Sequence, residues 1–448
     1  MDSFDKIIGY REEKEELKQI ADTLKNREDY EKLGINLPRG VLLYGPPGVG
    51  KTIMAKALIE ASGRSSFTLR KRYNSADFTI DIRTIFDKAI KNEPSIVFLD
   101  DIDKFSNVDR YRKNEEEYVI VQSCIEEIKE KDVFVIATAN DISDMPDYLI
   151  RNGRFDRRIE IGIPDRDDAE EIIAHYLKDK KTVDDVDVKM IARIMTRKSC
   201  ADLETLINEA GLYAGYKKSD TIRMEHFVDA ILKTIYSVPV YHKYGDYRTI
   251  SSVDKSNEMT LAPHDKNQRS FSRAVYHEAG HVIVSEMLCP GSITMAYVYM
   301  TEGVGRGFVN VSESKNKNTE GRYWSECKIM IDLAGAAAEE KIFGETGFGC
   351  FDDFDKAFSS VALLFNDCCA GGFKLYYSDH ISSDQQNDIR SHVLSSEIER
   401  YYGKVKKLIA LNKEFFEKIA EKLADKRLLT MEDIKGIRSE CDVVTINI

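Results

Sequence analysis

The sequence predicts an α/β fold in the first half of the chain and a mainly α-helical fold in the second half. Three observations lead to this prediction. Short apolar runs alternate with helical stretches between residues 41 and 163, which indicates a mostly parallel sheet with helices on both faces. One of the strands runs directly into a glycine-rich turn that opens a helix. Beyond residue 271, apolar residues recur mostly at helical spacing.

Composition excludes several broad classes of function. The 448 residues suffice for about three domains of ~150 residues, and an apolar fraction of 42% suits packed cores. A net charge of −12 argues against a general nucleic-acid surface, which would need an excess of basic residues. The eight cysteines form no C-x-x-C pair and indicate reduced thiols. No signal peptide and no run near the ~18 apolar residues of a membrane span is evident, so we expect a cytoplasmic protein.

The first predicted element is an amphipathic helix over residues 11–33, and a buried strand follows at residues 41–44. The strand leads into the pattern G-x-x-x-x-G-K-T. Its glycines let backbone N–H groups face a phosphate, its lysine pairs with phosphate oxygens, and its threonine reaches Mg²⁺. The residues predicted to bind ATP here are Gly45, Pro46, Pro47, Gly48, Val49, Gly50, Lys51 and Thr52, together with Ile53 in the first helical turn.

Four more strands and a helix complete the predicted sheet. The strands are expected at residues 66–69, 96–99, 133–137 and 159–163, and the helix at residues 79–91.

Polar residues follow the predicted strands at one edge of the sheet. Asp100 and Asp101 come directly after a buried strand, and an acidic residue there can hold Mg²⁺ beside the phosphates. Asn140 follows the next strand, which brings its amide near the same edge. Arg154 and Arg157 complete this set of candidate ATPase residues.

The second half contains the pattern H-E-x-x-H at His277, Glu278 and His281. On a helix this spacing lets both imidazoles reach one Zn²⁺, while the glutamate faces a water molecule. A catalytic zinc site needs a third protein ligand from elsewhere in the chain. The acidic segment 349–357 offers Asp352, Asp353 and Asp355, and spacing alone does not distinguish them.

Three other stretches of the sequence allow less specific structural predictions. Residues 238–270 show no sustained period and indicate a linker or arm. The glycines at 303–307 indicate a loop that leads into a strand at residues 308–311, which could bind extended peptide by edge addition. Residues 396–423 form a helical apolar stripe, typical of a core or an interface.

On these motifs, residues 1–238 resemble the AAA+ ATPase module, and nearly the whole chain resembles the FtsH family of ATP-dependent zinc metalloproteases. The resemblance implies an AAA+ α/β P-loop module with a helical lid, followed by a mainly α-helical zinc metalloprotease domain. It implies these bounds: residues 1–165 for the nucleotide-binding subdomain, 166–237 for the lid, 238–270 for the arm and 271–448 for the protease domain.

The resemblance also implies residue roles. Asp100 would be the Mg²⁺-associated acid of the Walker B motif and Asn140 the sensor. Arg154 and Arg157 would be arginine fingers that reach the γ-phosphate in a neighbouring subunit. A finger supplied in trans implies a ring, and the family forms hexamers. The resemblance selects Asp353 as the third zinc ligand and assigns no chemistry to the small-residue segment 333–340.

The chain departs from the family pattern at three points. Asp101 stands where the family has the glutamate that orients the attacking water, and an aspartate is shorter by one bond, roughly 1.5 Å. The aromatic-hydrophobic-glycine pore loop expected between residues 70 and 82 is absent, with Tyr73 or Phe78 as substitutes or as packed aromatics. His175 lies one position from the lid histidine near the adenine, so an adenine contact and a packing role are both open.

The sequence therefore predicts an ATP-dependent zinc metalloprotease with Zn²⁺, ATP and Mg²⁺ as cofactors. Glu278 is the expected general base, and a homo-hexamer acting on unfolded or tagged proteins is the expected assembly. The alternative is an ATP-dependent protein-remodelling machine with impaired hydrolysis or threading and little proteolysis. A cytosolic portion of a membrane-anchored protease is the alternative to a cytoplasmic protein.

Overall fold

A computed structural model gives the structure of the chain as two compact units, Met1–Tyr241 and His242–Ile448. Each unit is described by itself. The described residues are 3–35, 37–71, 78–105, 108–109, 112–113, 116–151, 153–238, 266–301, 303–311, 321–368, 370 and 384–445.

The first unit is built on a parallel five-stranded sheet with the strand order β2-β3-β6-β1-β7. Asp100, Asp101 and Asn140 lie at the edge where these strands end, whereas Arg157 starts β7 and lies at the opposite edge, beside the start of β1. The strands are β1 (Gly40–Tyr44), β2 (Ser65–Arg70), β3 (Ser95–Asp100), β6 (Val133–Ala139) and β7 (Arg157–Glu160), and a short hairpin contains β4 (Val108–Asp109) and β5 (Arg112–Lys113).

Helices surround this sheet and follow it in the chain. The central strands β1, β3 and β6 are buried along nearly their whole length, because helices cover both faces. The helices of the sheet region are α1 (Arg11–Lys25), α2 (Arg27–Glu31), α3 (Lys51–Ser62), α4 (Phe78–Lys91) and α5 (Glu116–Glu127), and those that follow are α6 (Arg166–Leu177), α7 (Val188–Ile194), α8 (Cys200–Tyr216) and α9 (Met224–Thr234).

The second unit is mainly helical and packs around one long helix, α10. Its hydrophobic core joins α10 to the C-terminal helices, with Val282, Tyr401 and Phe416 fully buried. The helices are α10 (Lys266–Leu288), α11 (Arg322–Asp332), α12 (Ala334–Phe343), α13 (Phe351–Ala362), α14 (Asp384–Leu411), α15 (Lys413–Lys426) and α16 (Met431–Ser439), and a three-stranded antiparallel sheet contains β8 (Ile293–Thr301), β9 (Val304–Val311) and β10 (Leu428–Thr430) in the order β10-β8-β9.

The predicted fold class is confirmed, with corrections to some elements. The helix expected over residues 11–33 is wrong as a single element, because Asn26 leaves helical geometry with φ −110° and ψ 36° between α1 and α2. The last sheet strand ends at Glu160 rather than at residue 163. The helical stripe at 396–423 is likewise divided at Asn412, whose side chain bonds to the backbone of Val444 instead of continuing one helix.

The glycines at 303–307 were expected in a loop, which is correct for Gly303, in the turn before β9 with φ 78°, and wrong for the other two. Gly305 and Gly307 lie inside β9, which pairs with β8. A Cβ at Gly305 would lie 2.4 Å from the carbonyl oxygen of Ser270, and one at Gly307 would lie 2.4 Å from Cγ of Glu278. Glycine is therefore needed here because α10 passes close to the strand, and not because of a turn.

Some expectations fall outside the described residues. These are most of the arm at 238–270 and the part of the predicted pore loop that contains Tyr73. Phe78 is described, and it is buried and packs edge-on against Phe105 with ring centroids 4.9 Å apart. The described cysteines are free thiols. Across the described ranges, no helix is both long enough and apolar enough to span a membrane.

Candidate active sites

The loop after β1 has a backbone that favours glycine. Gly45, Gly48 and Gly50 have φ angles of 143°, 80° and 101°. A Cβ at Gly45 would lie 2.1 Å from the carbonyl oxygen of Ile161, which excludes a side chain. Gly50 directly precedes α3, so the loop joins a helix N-terminus, an arrangement that binds phosphate groups.

Lys51 is buried at the start of α3 and faces the end of β6. Its Nζ donates hydrogen bonds to the carbonyl oxygens of Gly45 at 2.7 Å and Pro46 at 2.8 Å, and to Oδ1 of Asn140 at 3.0 Å. Burial lowers the pKa of Lys51, and among the acids that oppose this shift Asp101 has the largest effect. The predicted phosphate-binding lysine and the predicted sensor thus lie in direct contact.

Asp100 is held by two hydroxyl groups at the end of β3. Its Oδ1 accepts hydrogen bonds from Oγ1 of Thr52 at 3.0 Å and from Oγ1 of Thr138 at 2.9 Å. The Thr138 hydroxyl also accepts a hydrogen bond from the backbone N–H of Asp101 at 2.9 Å. A carboxylate and a threonine hydroxyl beside a phosphate loop suit Mg²⁺, which prefers oxygen ligands. Sequence reasoning gave Thr138 no role, although it lies only two residues before Asn140.

Asp103 is a second residue that sequence reasoning missed. Its Oδ2 accepts a hydrogen bond from Nδ2 of Asn140 at 3.2 Å. Its Oδ1 is buried and has no hydrogen-bond partner among the described residues. Asn140 therefore bridges Lys51 and Asp103, which orients its amide.

The two predicted arginine fingers lie at the start of β7 and just before it. Arg154 forms an ion pair with Glu126 at 2.6 Å, and Arg157 lies 3.8 Å from Oε1 of Glu16. Within the described part of this chain, neither arginine has a hydrogen bond or ion pair with the phosphate loop. Among the described residues of one chain, therefore, Arg154 and Arg157 do not contact the phosphate loop.

The N-terminus of α8 lies against the phosphate loop. The N–H of Ala201 donates to the carbonyl oxygen of Gly48 at 3.1 Å, and Sγ of Cys200 donates to that of Val49 at 3.6 Å. The phenol of Tyr10 lies 3.4 Å from the same thiol. The capping box that starts α8 was a visible sequence signal, whereas nothing in the sequence marked Tyr10. His175 packs edge-on against Tyr176 in α6, and its adenine contact stays a prediction.

In the second unit, α10 carries both histidines on one face. Nε2 of His277 and Nε2 of His281 lie 3.1 Å apart. Asp353, in the first turn of α13, brings its Oδ2 to 3.0 Å from the first nitrogen and 3.2 Å from the second. Ligand atoms of a tetrahedral zinc site with bonds of about 2.0–2.1 Å lie about 3.3 Å apart. Asp352 and Asp355 are exposed and do not join this triangle.

Both histidines are oriented by hydrogen bonds through their other nitrogen. Nδ1 of His277 lies 2.9 Å from Oε1 of Glu339, and Nδ1 of His281 lies 2.8 Å from the carbonyl oxygen of Ile331. When each Nδ1 carries the proton, each Nε2 keeps its lone pair for a metal. The donor set therefore fits Zn²⁺.

Glu339 is the main residue of this site that sequence reasoning missed. Besides His277, its carboxylate accepts hydrogen bonds from Arg273 at 2.6 Å, from the N–H of Gly347 at 2.8 Å and from Sγ of Cys350 at 3.4 Å. Burial acts to raise the pKa of Glu339, but the hydrogen bond to His277 and its charge, together with the hydrogen bonds from Arg273 and Gly347, outweigh burial and lower the pKa. Close packing against the metal helix explains the small residues that precede Glu339, because a Cβ at Gly335 would lie 2.4 Å from Cε1 of His277.

Glu278 is buried between the histidines and β9. Burial raises its pKa, and the neighbouring histidines oppose the shift. A buried carboxylate with a raised pKa is a stronger base than an exposed one.

The fold and the two sites define the class of protein. A parallel P-loop sheet followed by helices indicates an ATPase, and an H-E-x-x-H helix with a convergent aspartate indicates a metal-dependent peptidase. Both occur in one chain.

Comparisons with known proteins agree with this class. Residues 41–163 match the family described as ATPase family associated with various cellular activities (AAA). Proteins named ATP-dependent zinc metalloprotease FtsH are similar over nearly the whole chain. The relative from Lachnoclostridium phytofermentans is 31% identical, over 96% of this chain and 74% of the relative. Those from Caldicellulosiruptor bescii and Thermus thermophilus are 28% and 29% identical, each over 97% of this chain and over 72% and 70% of the relative.

The chain belongs to the FtsH family of ATP-dependent zinc metalloproteases. It is an ATP hydrolase and a zinc metalloendopeptidase, with ATP, Mg²⁺ and Zn²⁺ as cofactors. The predicted family and activity are thereby confirmed, and nothing in the comparisons favours the remodelling alternative.

Proposed function

We propose that His277, His281 and Asp353 hold the zinc ion and that Glu278 is the general base of peptide hydrolysis. The observation that carries this proposal is the mutual approach of two Nε2 atoms and one Oδ2 atom to 3.0–3.2 Å. When bound, Zn²⁺ lowers the pKa of a water molecule and polarises the scissile carbonyl.

The protein's own groups do the rest of the chemistry. Glu278 takes a proton from the attacking water and passes it to the leaving amine. The raised pKa of Glu278 supports this role, because it strengthens the base and keeps the proton available for transfer. The substrate binds to β9, which is an edge strand and can add an extended peptide through backbone hydrogen bonds. Gly307 in β9 lies against Glu278, so a peptide on this edge runs near the base.

The test compares casein degradation, with zinc and Mg-ATP, by the wild type and by Glu278→Gln. We expect the variant to keep its zinc and its ATPase activity and to lose at least 100-fold in cleavage rate, the lower range for a general base. Equal cleavage by the two proteins would contradict the role of Glu278.

For ATP hydrolysis we propose roles at the loop edge of the sheet. Lys51 binds the β- and γ-phosphates, with the loop backbone of residues 45–50 around them. Thr52 and Asp100 hold Mg²⁺, and the hydrogen bond between them supports this pairing. Asn140 senses the γ-phosphate, and Asp101 orients the attacking water. Asp101→Asn is expected to abolish ATPase activity while ATP binding persists.

We also propose a homo-hexameric ring, in which Arg154 and Arg157 act on ATP bound by the neighbouring subunit. The absence of contacts between these arginines and the loop within the described part of one chain is consistent with action in trans. ATPase activity per subunit should then rise with protein concentration, and native mass spectrometry with a non-hydrolysable ATP analogue should give six subunits. Arg154→Ala subunits mixed into wild-type rings should lower the activity of their neighbours. A fully active monomer would contradict this assembly.

The domain organisation follows as a proposal. Residues 1–165 bind the nucleotide, 166–237 form its lid, 238–270 form an arm whose last residues, 266–270, already belong to α10, and 271–448 form the protease domain that degrades unfolded or tagged proteins. The contacts from the start of α8 to the phosphate loop support the lid.

A further inference from the structure

Two cysteines meet where α10 ends. Cys289 directly follows the last residue of α10, and Cys327 lies in α11. Both are free thiols, and the S–H group of Cys289 donates a hydrogen bond to the sulfur of Cys327. Cys327 is fully buried in the core of the second unit, and the half-buried Cys289 packs against that core. We call Cys289 and Cys327 the thiol pair. The proposed chemistry of peptide hydrolysis uses neither thiol.

The backbone around the thiol pair suits a disulfide. A disulfide holds its two sulfur atoms about 2.05 Å apart, so sulfurs that already share a hydrogen bond need only a small further approach. The N–H of Cys289 still donates to the carbonyl oxygen of Ser285 at 2.8 Å, and its own carbonyl accepts from the N–H of Ser292 at 3.1 Å. Cys289 therefore lies between a helix end and a turn. Helix ends fray more readily than helix interiors, so Cys289 can move towards Cys327.

The hydrogen bonds at the thiol pair favour its oxidation. The phenol of Tyr323, one turn earlier in α11, also donates a hydrogen bond to the sulfur of Cys327. The hydrogen bonds from Cys289 and Tyr323 outweigh burial and lower the pKa of Cys327, whereas the pKa of Cys289 is raised by the hydrogen bond to Cys327 and by burial. The thiolate is the nucleophile in thiol oxidation. Cys327 is thus the sulfur that reacts first, and Cys289 is the resolving thiol beside it.

We propose that the thiol pair is a modification site at which hydrogen peroxide closes a disulfide between α10 and α11. The thiolate of Cys327 attacks the O–O bond and becomes a sulfenic acid, and the departing hydroxide takes up a proton to give water. The sulfur of Cys289 then attacks the sulfenic sulfur, the S–S bond forms, and the hydroxyl group leaves with the thiol proton as a second water. Two thiols are oxidised and one peroxide is reduced.

The disulfide fastens the two helices that position His281. The carbonyl oxygen of Ile331 in α11 lies 2.8 Å from Nδ1 of His281. Ile331 follows Cys327 by about one turn of α11, and Cys289 follows His281 by about two turns of α10. A covalent bond at the thiol pair therefore restrains the same two helices and keeps the carbonyl on the imidazole. This consequence rests on the proposed role of His281 as a zinc ligand.

The test treats the folded, zinc-loaded full-length chain with hydrogen peroxide, alkylates the remaining thiols and maps disulfides by peptide mass spectrometry. We expect a peptide linked through Cys289 and Cys327, a loss of two of the eight thiols, and recovery of both thiols with a phosphine reductant. Because the two sulfurs already touch, this link should form at least about tenfold faster than any other disulfide. A folded wild type in which both thiols stay unlinked, or are oxidised to sulfinic acids instead, would overturn the proposal.

Single variants provide the controls for this mapping. Cys289→Ser and Cys327→Ala should not form the link, and melting curves show whether each variant is folded. Cys441→Ser removes another half-buried thiol and should form the link as the wild type does. A linked partner other than Cys289 for Cys327 in the folded wild type would also contradict the proposal.

A second readout is the rate at which zinc passes to a chromophoric chelator. The linked protein should release zinc about twofold to tenfold more slowly than the reduced protein, below the 10-fold to 100-fold effect of losing an outer contact of a metal ligand. Peroxide should not slow release from Cys327→Ala. Equal or faster release from the linked protein would overturn the restraint on His281, whereas a missing link overturns the modification site itself. If His281→Ala keeps its full zinc content, the proposed ligand role fails, which separates that outcome from both.

Discussion

His277 and Glu339 form a hydrogen bond of 2.9 Å between Nδ1 and Oε1, across 62 residues of sequence. The bond joins α10, which carries the H-E-x-x-H pattern, to the middle of the small-residue helix α12. It fixes the ring so that Nε2 faces Asp353. Carboxylates that orient a histidine ligand in this way also raise its basicity towards the metal.

Glu339→Gln should weaken zinc binding about 10-fold to 100-fold, because the neutral amide is a poorer acceptor for the Nδ1–H group. Competition with a chromophoric zinc chelator measures the affinity. Glu340→Gln is the matched control, since this neighbouring carboxylate contacts Tyr402 and Lys406 instead of a histidine. Equal zinc affinities for the two variants would refute an orienting role for Glu339.

The three acidic candidates of α13 can be separated by single substitutions to asparagine. Asp353→Asn should lose most of its zinc and its casein cleavage, because only this carboxylate lies within 3.2 Å of both Nε2 atoms. Asp352→Asn and Asp355→Asn should retain the metal, since both side chains are exposed. Zinc content by atomic absorption checks this.

ATPase activity supplies the control for this series. It should persist in all three variants and after zinc removal with a chelator, because the phosphate loop lies in the other unit. Zinc loss in Asp352→Asn or Asp355→Asn alone would overturn the assignment of Asp353.

Gly335→Ala should disturb the zinc site by displacing the ring of His277. The added methyl would lie 2.4 Å from Cε1 of His277, so the ring has to move. Overpacking of this kind costs about 1–3 kcal/mol of stability. We expect a lower melting temperature and weaker zinc binding. Gly349→Ala serves as control because nothing lies within 4 Å of its added methyl. Unchanged zinc affinity in Gly335→Ala would contradict this packing argument.

Thr138→Val should lower the ATPase kcat, although the two side chains have nearly the same shape. The buried hydroxyl donates to Asp100 and accepts from the N–H of Asp101, and valine can do neither. Leaving a buried group unpaired costs about 1–3 kcal/mol. The exposed Thr68→Val on β2 is the control. Cleavage of a short peptide should be equal in both variants, and an equal ATPase rate would show that the hydroxyl is dispensable.

The sequence by itself determined the features that depend on residues close together in the chain. The parallel sheet could be predicted because its buried strands are continuous apolar runs such as residues 96–99. The phosphate loop at 45–52 and the pair His277 and His281 could be predicted because all their residues lie within one turn or one helix. The boundary at Asn26 could not, because a local change of backbone angle leaves little trace in the periodicity.

Only the tertiary structure decided which distant residues meet. Spacing left three aspartates open in segment 349–357, and the packing of α13 beside α10 brings Asp353 to the histidines. Glu339 had no motif of its own and is recognised only by its contact with His277. Arg70 and Asp101 are 31 residues apart and meet because β2 and β3 are neighbours in register. Side chains from separate elements are brought together by packing and strand register, which arise from the whole fold and not from any single stretch of sequence.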